Sequence, residues 1–153
     1  MNNPLRTIED EDYELFLYTL KQQFPFVKHS TLILTRRGSS LARVSGELQF
    51  DHGFRLIVRE RILYHRLPAV IDEYGYEAWR GHEKLYWYDA QPHPDAPALQ
   101  STYPHHKHIQ PNIRNNRIPA PECRFTEPNL PIIIREIKGL IEKIERETES
   151  KPN

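Results

Sequence analysis

The sequence predicts an α+β fold: an N-terminal helix, an antiparallel meander of about four or five strands, a long Pro/His-rich loop, and a C-terminal helix packed on the sheet. Three observations lead there. From Ala42 to Phe50, apolar positions alternate with Arg43, Ser45, Glu47 and Gln49, the period of a strand with one wet face. Asp51–His52–Gly53 and Gly81–His82 supply tight connections between further β-prone runs. Near both ends of the chain, apolar residues instead recur at spacings of three and four, the period of a helix. A chain of 153 residues holds one domain. Its expected parts are the N-terminal helix and extension (1–41), the meander (42–89), the loop (90–130) and the C-terminal helix (131–149).

In chain order, the first helix is expected over Thr7–Phe24, burying Tyr13, Phe16, Leu17, Leu20 and Phe24. Thr7 or Asp10 caps it, the acids from Glu9 to Asp12 suit the positive end of its dipole, and Pro25 stops it. Thr31–Thr35 is a short β-prone run followed by a basic turn, Arg36–Ser40. The strands Ala42–Phe50, Phe54–Leu63, Val70–Arg80 and Glu83–Asp89 form the meander. Within it, Arg55, Arg59 and Arg61 read as a solvated strand face, with an RNA-facing one as the lesser alternative. From Ala90 to Pro131 the proline density forbids regular helix or sheet, while Tyr103, Ile109, Ile113, Ile118 and Phe125 anchor the loop to the sheet. The last helix carries the stripe Ile133, Ile137, Leu140, Ile141 and Ile144, with Asn129 as its cap and Pro131 in its first turn. The tail from Ser150 is expected to fray.

Composition narrows the function classes. Lys+Arg and Asp+Glu both number 21, so there is no global attraction to nucleic acid, and any anion site is local. Residues 101–128 are net +2, with Lys107, Arg114, Arg117 and Arg124 set against Glu122 and Glu127. A single cysteine, Cys123, excludes an internal disulfide and a cysteine-based metal cluster. MNNPLRTIEDED holds no apolar stretch, so no signal peptide is expected; no apolar run is long enough for a bilayer, and a cytoplasmic location is the default. Against this background, the stretch from Tyr86 to Arg117 stands out. It holds four of the eight histidines (His93, His105, His106, His108) together with Asp89, Lys107, Arg114 and Arg117. No packing rule calls for that mixture, and loops carry function more often than scaffolds do.

The order Tyr86–Trp87–Tyr88–Asp89, then His93–Pro94, then Thr102 to His108 (TYPHHKH), then the NLPxxIxEI helix start at Asn129, resembles the TumE-like toxins of toxin–antitoxin systems, over roughly residues 42–145. The PHHKH string is the specific part. Helix followed by antiparallel strands also looks like metal-independent endoribonuclease toxins such as RelE, by fold analogy. The resemblance implies a toxin partnered by a small antitoxin encoded next to it; RNA is a candidate substrate, by the fold analogy rather than by the resemblance. A homodimer is left open.

Metal-free RNA cleavage needs a base for the 2′-hydroxyl, an acid for the leaving oxygen and cations for the phosphorane. Histidines titrate near neutrality and suit the first two tasks. The expected catalytic set is therefore His105, His106, His108, Lys107, Asp89 and His93, with Asp89 orienting an imidazole. Tyr86, Tyr88 and Tyr103 are candidates for stacking on bases, and Arg114 and Arg117 for holding phosphate. No metal and no cofactor is assigned. Adjacent residues of an extended chain point to opposite sides, so at most two of His105, His106 and His108 share one site. Two alternatives stand beside this reading: a metal-dependent hydrolase with a histidine site, and a non-enzymatic interaction protein whose histidine loop is structural.

Overall fold

The computed structural model describes residues 10–66 and 68–149. The expected helix start at Thr7 and the tail from Ser150 lie outside them. The elements run α1 (Asp10–Tyr18), α2 (Leu20–Gln23), β1 (His29–Ser30), β2 (Ile33–Arg37), β3 (Leu41–Gln49), β4 (Phe54–Leu63), β5 (Val70–Arg80), β6 (Glu83–Asp89), β7 (His106–Ile109), β8 (Arg117–Pro119) and α3 (Leu130–Glu149). The sheet is antiparallel throughout, in the order β1-β3-β4-β5-β6-β7-β8, with β2 also on β3.

The α+β class and the four-stranded meander agree with the sequence, but the sheet has eight strands rather than four or five. The difference lies in short edge strands. Residues 90–130 are not free of regular structure: the end of the PHHKH string, from His106, enters the sheet as β7 beside β6, and β8 pairs with β7. Strands this short carry too little periodicity to be read alone, and the exposed β6 edge recruits them by backbone pairing. The N-terminal helix also differs, breaking at Thr19, whose hydroxyl bonds the Leu15 carbonyl at 2.7 Å.

The three helices cover one face of the sheet. α1 and α2 bury Tyr13, Phe16, Leu17 and Leu20, and α3 buries Leu130, Ile133, Ile134, Ile137 and Ile141. They meet Ala42, Val44 and Leu48 of β3, Leu56, Val58 and Ile62 of β4, and Tyr76 and Ala78 of β5 in one core. Each fully buried isoleucine contributes roughly 1.5–3 kcal/mol of transfer free energy. Inside this apolar layer, Glu60 accepts hydrogen bonds from Tyr13 of α1 and Tyr76 of β5. Burial raises its pKa to about 7, against the lowering effect of the two tyrosine hydroxyls. Asn129 precedes α3, but its side chain does not cap the helix: it bonds the backbone of Arg124 and the Tyr76 hydroxyl. No helix among the described residues is long and apolar enough to cross a membrane.

The opposite, outer face carries no helix. Strand register lays its residues in transverse rows. One row runs Ser45, Arg59, Gly75, Asp89, His106, Pro119; the next runs Glu47, Ile57, Glu77, Trp87, His108, Arg117. Residues far apart in sequence thus become neighbours on an open surface.

Candidate functional site

The pleat decides which residues of PHHKH share a site. In β7, His106 and His108 point to the outer face and Lys107 to the inner one. His106 lies across from Asp89, and His108 across from Trp87. His106 Nε2 is 2.7 Å from Asp89 Oδ1, His108 Nε2 is 3.5 Å from Asp89 Oδ2, and the two Nε2 atoms are 3.1 Å apart. Both rings are buried, while the Asp89 side chain keeps 21% of its surface exposed.

Each member is held from outside the cluster. His106 Nδ1 lies 3.2 Å from the Pro104 carbonyl, and His108 Nδ1 lies 2.9 Å from the Ile113 carbonyl and 3.1 Å from that of Arg114. Trp87 donates its indole N–H to Asp89 Oδ2 at 2.9 Å and stacks on His108 with ring centres 3.7 Å apart. The Gln91 amide donates to Asp89 Oδ1 at 3.1 Å. Burial works to raise the Asp89 pKa, but the contacts with His106 and His108, and the hydrogen bonds from Trp87 and Gln91, outweigh it and hold the carboxyl well below the usual range. His93 packs edge-on against His106, and Arg117 Nη1 lies 2.8 Å from its ring nitrogens. Burial, with Arg117 and His106 beside it, lowers the His93 pKa.

Asp89 opens into a cavity of about 670 Å³ on the outer face, also lined by Arg43, Arg59, Arg61, Gly75 and Gln91. Its acids Asp72 and Glu73 are tied to Arg61, the former by a bidentate pair at 2.8 and 2.6 Å. Arg59 and Arg43 have no such partner among the described residues. The Arg59 guanidinium lies over Gly75, where a Cβ would come within 2.5 Å of its Nη2. Glycine in this strand interior thus leaves a path for Arg59 across β5 towards Asp89. Gly75, Arg43 and Trp87 are absent from the set the sequence suggested, and Arg59 entered it only through the lesser, RNA-facing reading of a wet strand face. The only signal for them was Gly75 in the middle of a strand pattern, and its meaning depended on register.

Of the expected residues, the structure brings together Asp89, His106, His108 and His93, with Arg117 against His93. It separates the rest. His105 turns away to pair with the Tyr74 hydroxyl at 2.5 Å and packs on Phe125; burial, with Arg124 and His106, lowers its pKa. Lys107 Nζ lies on the helix-covered face, 3.3 Å from Glu136 of α3 and over the Tyr86 and Tyr88 rings. Tyr86 and Tyr88 are buried there too, Tyr88 donating to Glu136 at 2.9 Å, so neither is placed to stack on a base. Trp87 is covered by His108 on one side and Lys84 on the other. Tyr103 and Arg114 are exposed. Cys123 is buried, which pushes its thiol up to about 12 and leaves it a poor nucleophile.

One group among the described residues has metal-ligand potential: Asp89, His106 and His108, whose ligand atoms lie within 4.8 Å of one another. In comparison with known proteins, a family described as Toxin TumE matches over residues 16–141. No curated protein and no solved structure matches the chain.

Proposed function

The chain belongs to the TumE toxin family, and on that premise we propose that it is the toxin of a toxin–antitoxin module and acts by cleaving RNA on the outer face of its sheet. The observation that supports this reading is the row Arg59–Gly75–Asp89–His106. It sets a guanidinium with no ion-pair partner among the described residues beside an Asp/His centre at the wall of an open cavity. Arginine recognises phosphate by charge and by its planar fork of donors.

In the proposed reaction, His93 at the mouth of the centre takes the proton of a ribose 2′-hydroxyl. The 2′-oxygen bonds to phosphorus, the bond from phosphorus to the 5′-oxygen breaks, and that oxygen takes up a proton from a water molecule held at the Asp89–His106–His108 centre, the hydroxide left behind being neutralised by the proton on His93. The products are a 2′,3′-cyclic phosphate and a 5′-hydroxyl end. Arg59 and Arg117 carry the phosphate charge, and Tyr103 is the exposed aromatic available to a base. Lys107 and His105 have no part in this chemistry. A small antitoxin, encoded beside the toxin, silences it by masking the outer face.

Induced expression of the wild-type chain is expected to arrest growth and to leave RNA with cyclic-phosphate ends. Arg59→Ala and His93→Ala should lose the cut ends with an unchanged melting temperature, whereas Lys107→Ala should keep cleavage and melt lower. Arrest without new RNA ends would overturn the ribonuclease reading. A second reading rests on the bonds from His106 and His108 to the Pro104, Ile113 and Arg114 carbonyls, which also latch the loop. Under it, His108→Ala lowers stability by roughly 1–3 kcal/mol and no variant affects RNA.

A further inference from the structure

The Asp89–His106–His108 cluster poses a question of hydrogen accounting. A backbone carbonyl only accepts, so each Nδ1 that faces one carries the ring proton: His106 towards Pro104, His108 towards Ile113 and Arg114. A neutral imidazole has one proton. Both Nε2 atoms are therefore left with lone pairs, aimed at each other across 3.1 Å and at the oxygens of one carboxylate. Three lone-pair donors meeting in a buried gap repel unless something positive lies between them. One extra proton on His106 would serve its contact with Asp89 but would not serve the His108 contact with the same carboxylate. One cation at the centre serves all three.

We infer that Asp89, His106 and His108 bind a single divalent first-row transition-metal ion of the zinc class. Bonds of about 2.0–2.1 Å in a tetrahedral shell space the ligand atoms about 3.3 Å apart. The contacts here, 2.7, 3.1 and 3.5 Å, bracket that spacing. Two imidazoles and one carboxylate favour zinc, cobalt, iron or nickel over magnesium or calcium, which prefer all-oxygen shells. The surroundings also match what ligating groups need. Each histidine donates its other ring N–H to a carbonyl, and Trp87 and Gln91 fix the carboxylate. Three protein ligands leave a fourth position for water or substrate, the pattern of a reactive rather than a purely structural ion. The sequence assigned no metal because HxH on a strand and an aspartate upstream become one site only when β7 pairs with β6 in this register.

The test is Co²⁺ titration of the chelator-treated full chain, with no RNA present. Wild type is expected to develop visible d–d absorption saturating at one equivalent, to lose it to added Zn²⁺, and to melt higher with either ion, since binding to the folded state alone raises stability. Asp89→Asn and His106→Gln, which nearly preserve volume, should weaken binding at least about tenfold, while His82→Ala in the exposed β5–β6 turn should not. Absence of one-equivalent binding in folded wild type overturns the inference, as does binding that survives both substitutions. The readout is independent of RNA: a chain that binds Co²⁺ but cuts nothing sinks the ribonuclease reading and leaves the metal site standing.

Discussion

Gly75 and Arg59 work as one device. The guanidinium crosses β5 only because residue 75 has no side chain, and a Cβ there meets the tip of a flexible arginine rather than backbone. Gly75→Ala is therefore expected to leave the melting temperature nearly unchanged while displacing Arg59. RNA cleavage should fall by about tenfold or more, in line with the 1.5–3 kcal/mol of a hydrogen bond to a charged group. Parallel melting and cleavage assays check this; full activity in Gly75→Ala would remove Arg59 from the site. The sequence marked Arg59 as a wet strand position, and so it is, since alternation separates wet from dry. What alternation does not say is which wet residues of other strands lie alongside. The histidines were legible to the same depth. Period two separates His106 and His108 from Lys107, but that this pair faces Asp89, and Lys107 faces Glu136, follows from pairing across β6 and from the placement of α3.

Among the elements, the long ones were readable and the short ones were not. β3 to β6 each carry enough alternation or enough turn chemistry to be placed. β1, β7 and β8 hold two to four residues, and their strand state comes from the neighbour they pair with. The edge of β3 shows how a short element is held. β1 and β2 share that edge, and the chain crosses from one to the other at Thr31, which bonds Glu47 through both amide and hydroxyl. Gly46 makes the crossing feasible: its φ is 144°, and a Cβ would lie 2.6 Å from the Thr31 carbonyl oxygen. Here the obstacle is backbone on both counts. Gly46→Ala is expected to cost about 1–3 kcal/mol, read as a lowered denaturation midpoint, and an unchanged midpoint would contradict this account of the edge.

At the scale of the whole molecule, the hydrophobic core and the candidate site occupy opposite faces of one sheet. The cohesive face has its own titrating centre, Glu60, linked to Tyr13, Tyr76 and through Tyr76 to Asn129. Burial raises its carboxyl from 4.5 to about 7, despite the two tyrosine hydrogen bonds. The folded chain thus keeps a proton that the unfolded chain releases, so stability is greatest below about pH 4.5 for this group and declines as pH rises through about 7. The displacement corresponds to about 3 kcal/mol at most. Glu60→Gln, which cannot ionise, should flatten the slope of melting temperature against pH between 5 and 7.5 relative to wild type; equal slopes would show that Glu60 does not titrate in that range. Because the tyrosines, Asn129 and the three helices lie behind the sheet, a lesion on the open face is expected to leave the protein folded while removing the proposed activity. For a toxin restrained by a masking partner, this has a genetic consequence. Under the proposed masking, a point lesion that leaves the rest of the outer face intact is expected to keep its hold on the antitoxin, so in a cell carrying both alleles the broken copy acts as a decoy, lowers the dose of free antitoxin and unleashes the intact one.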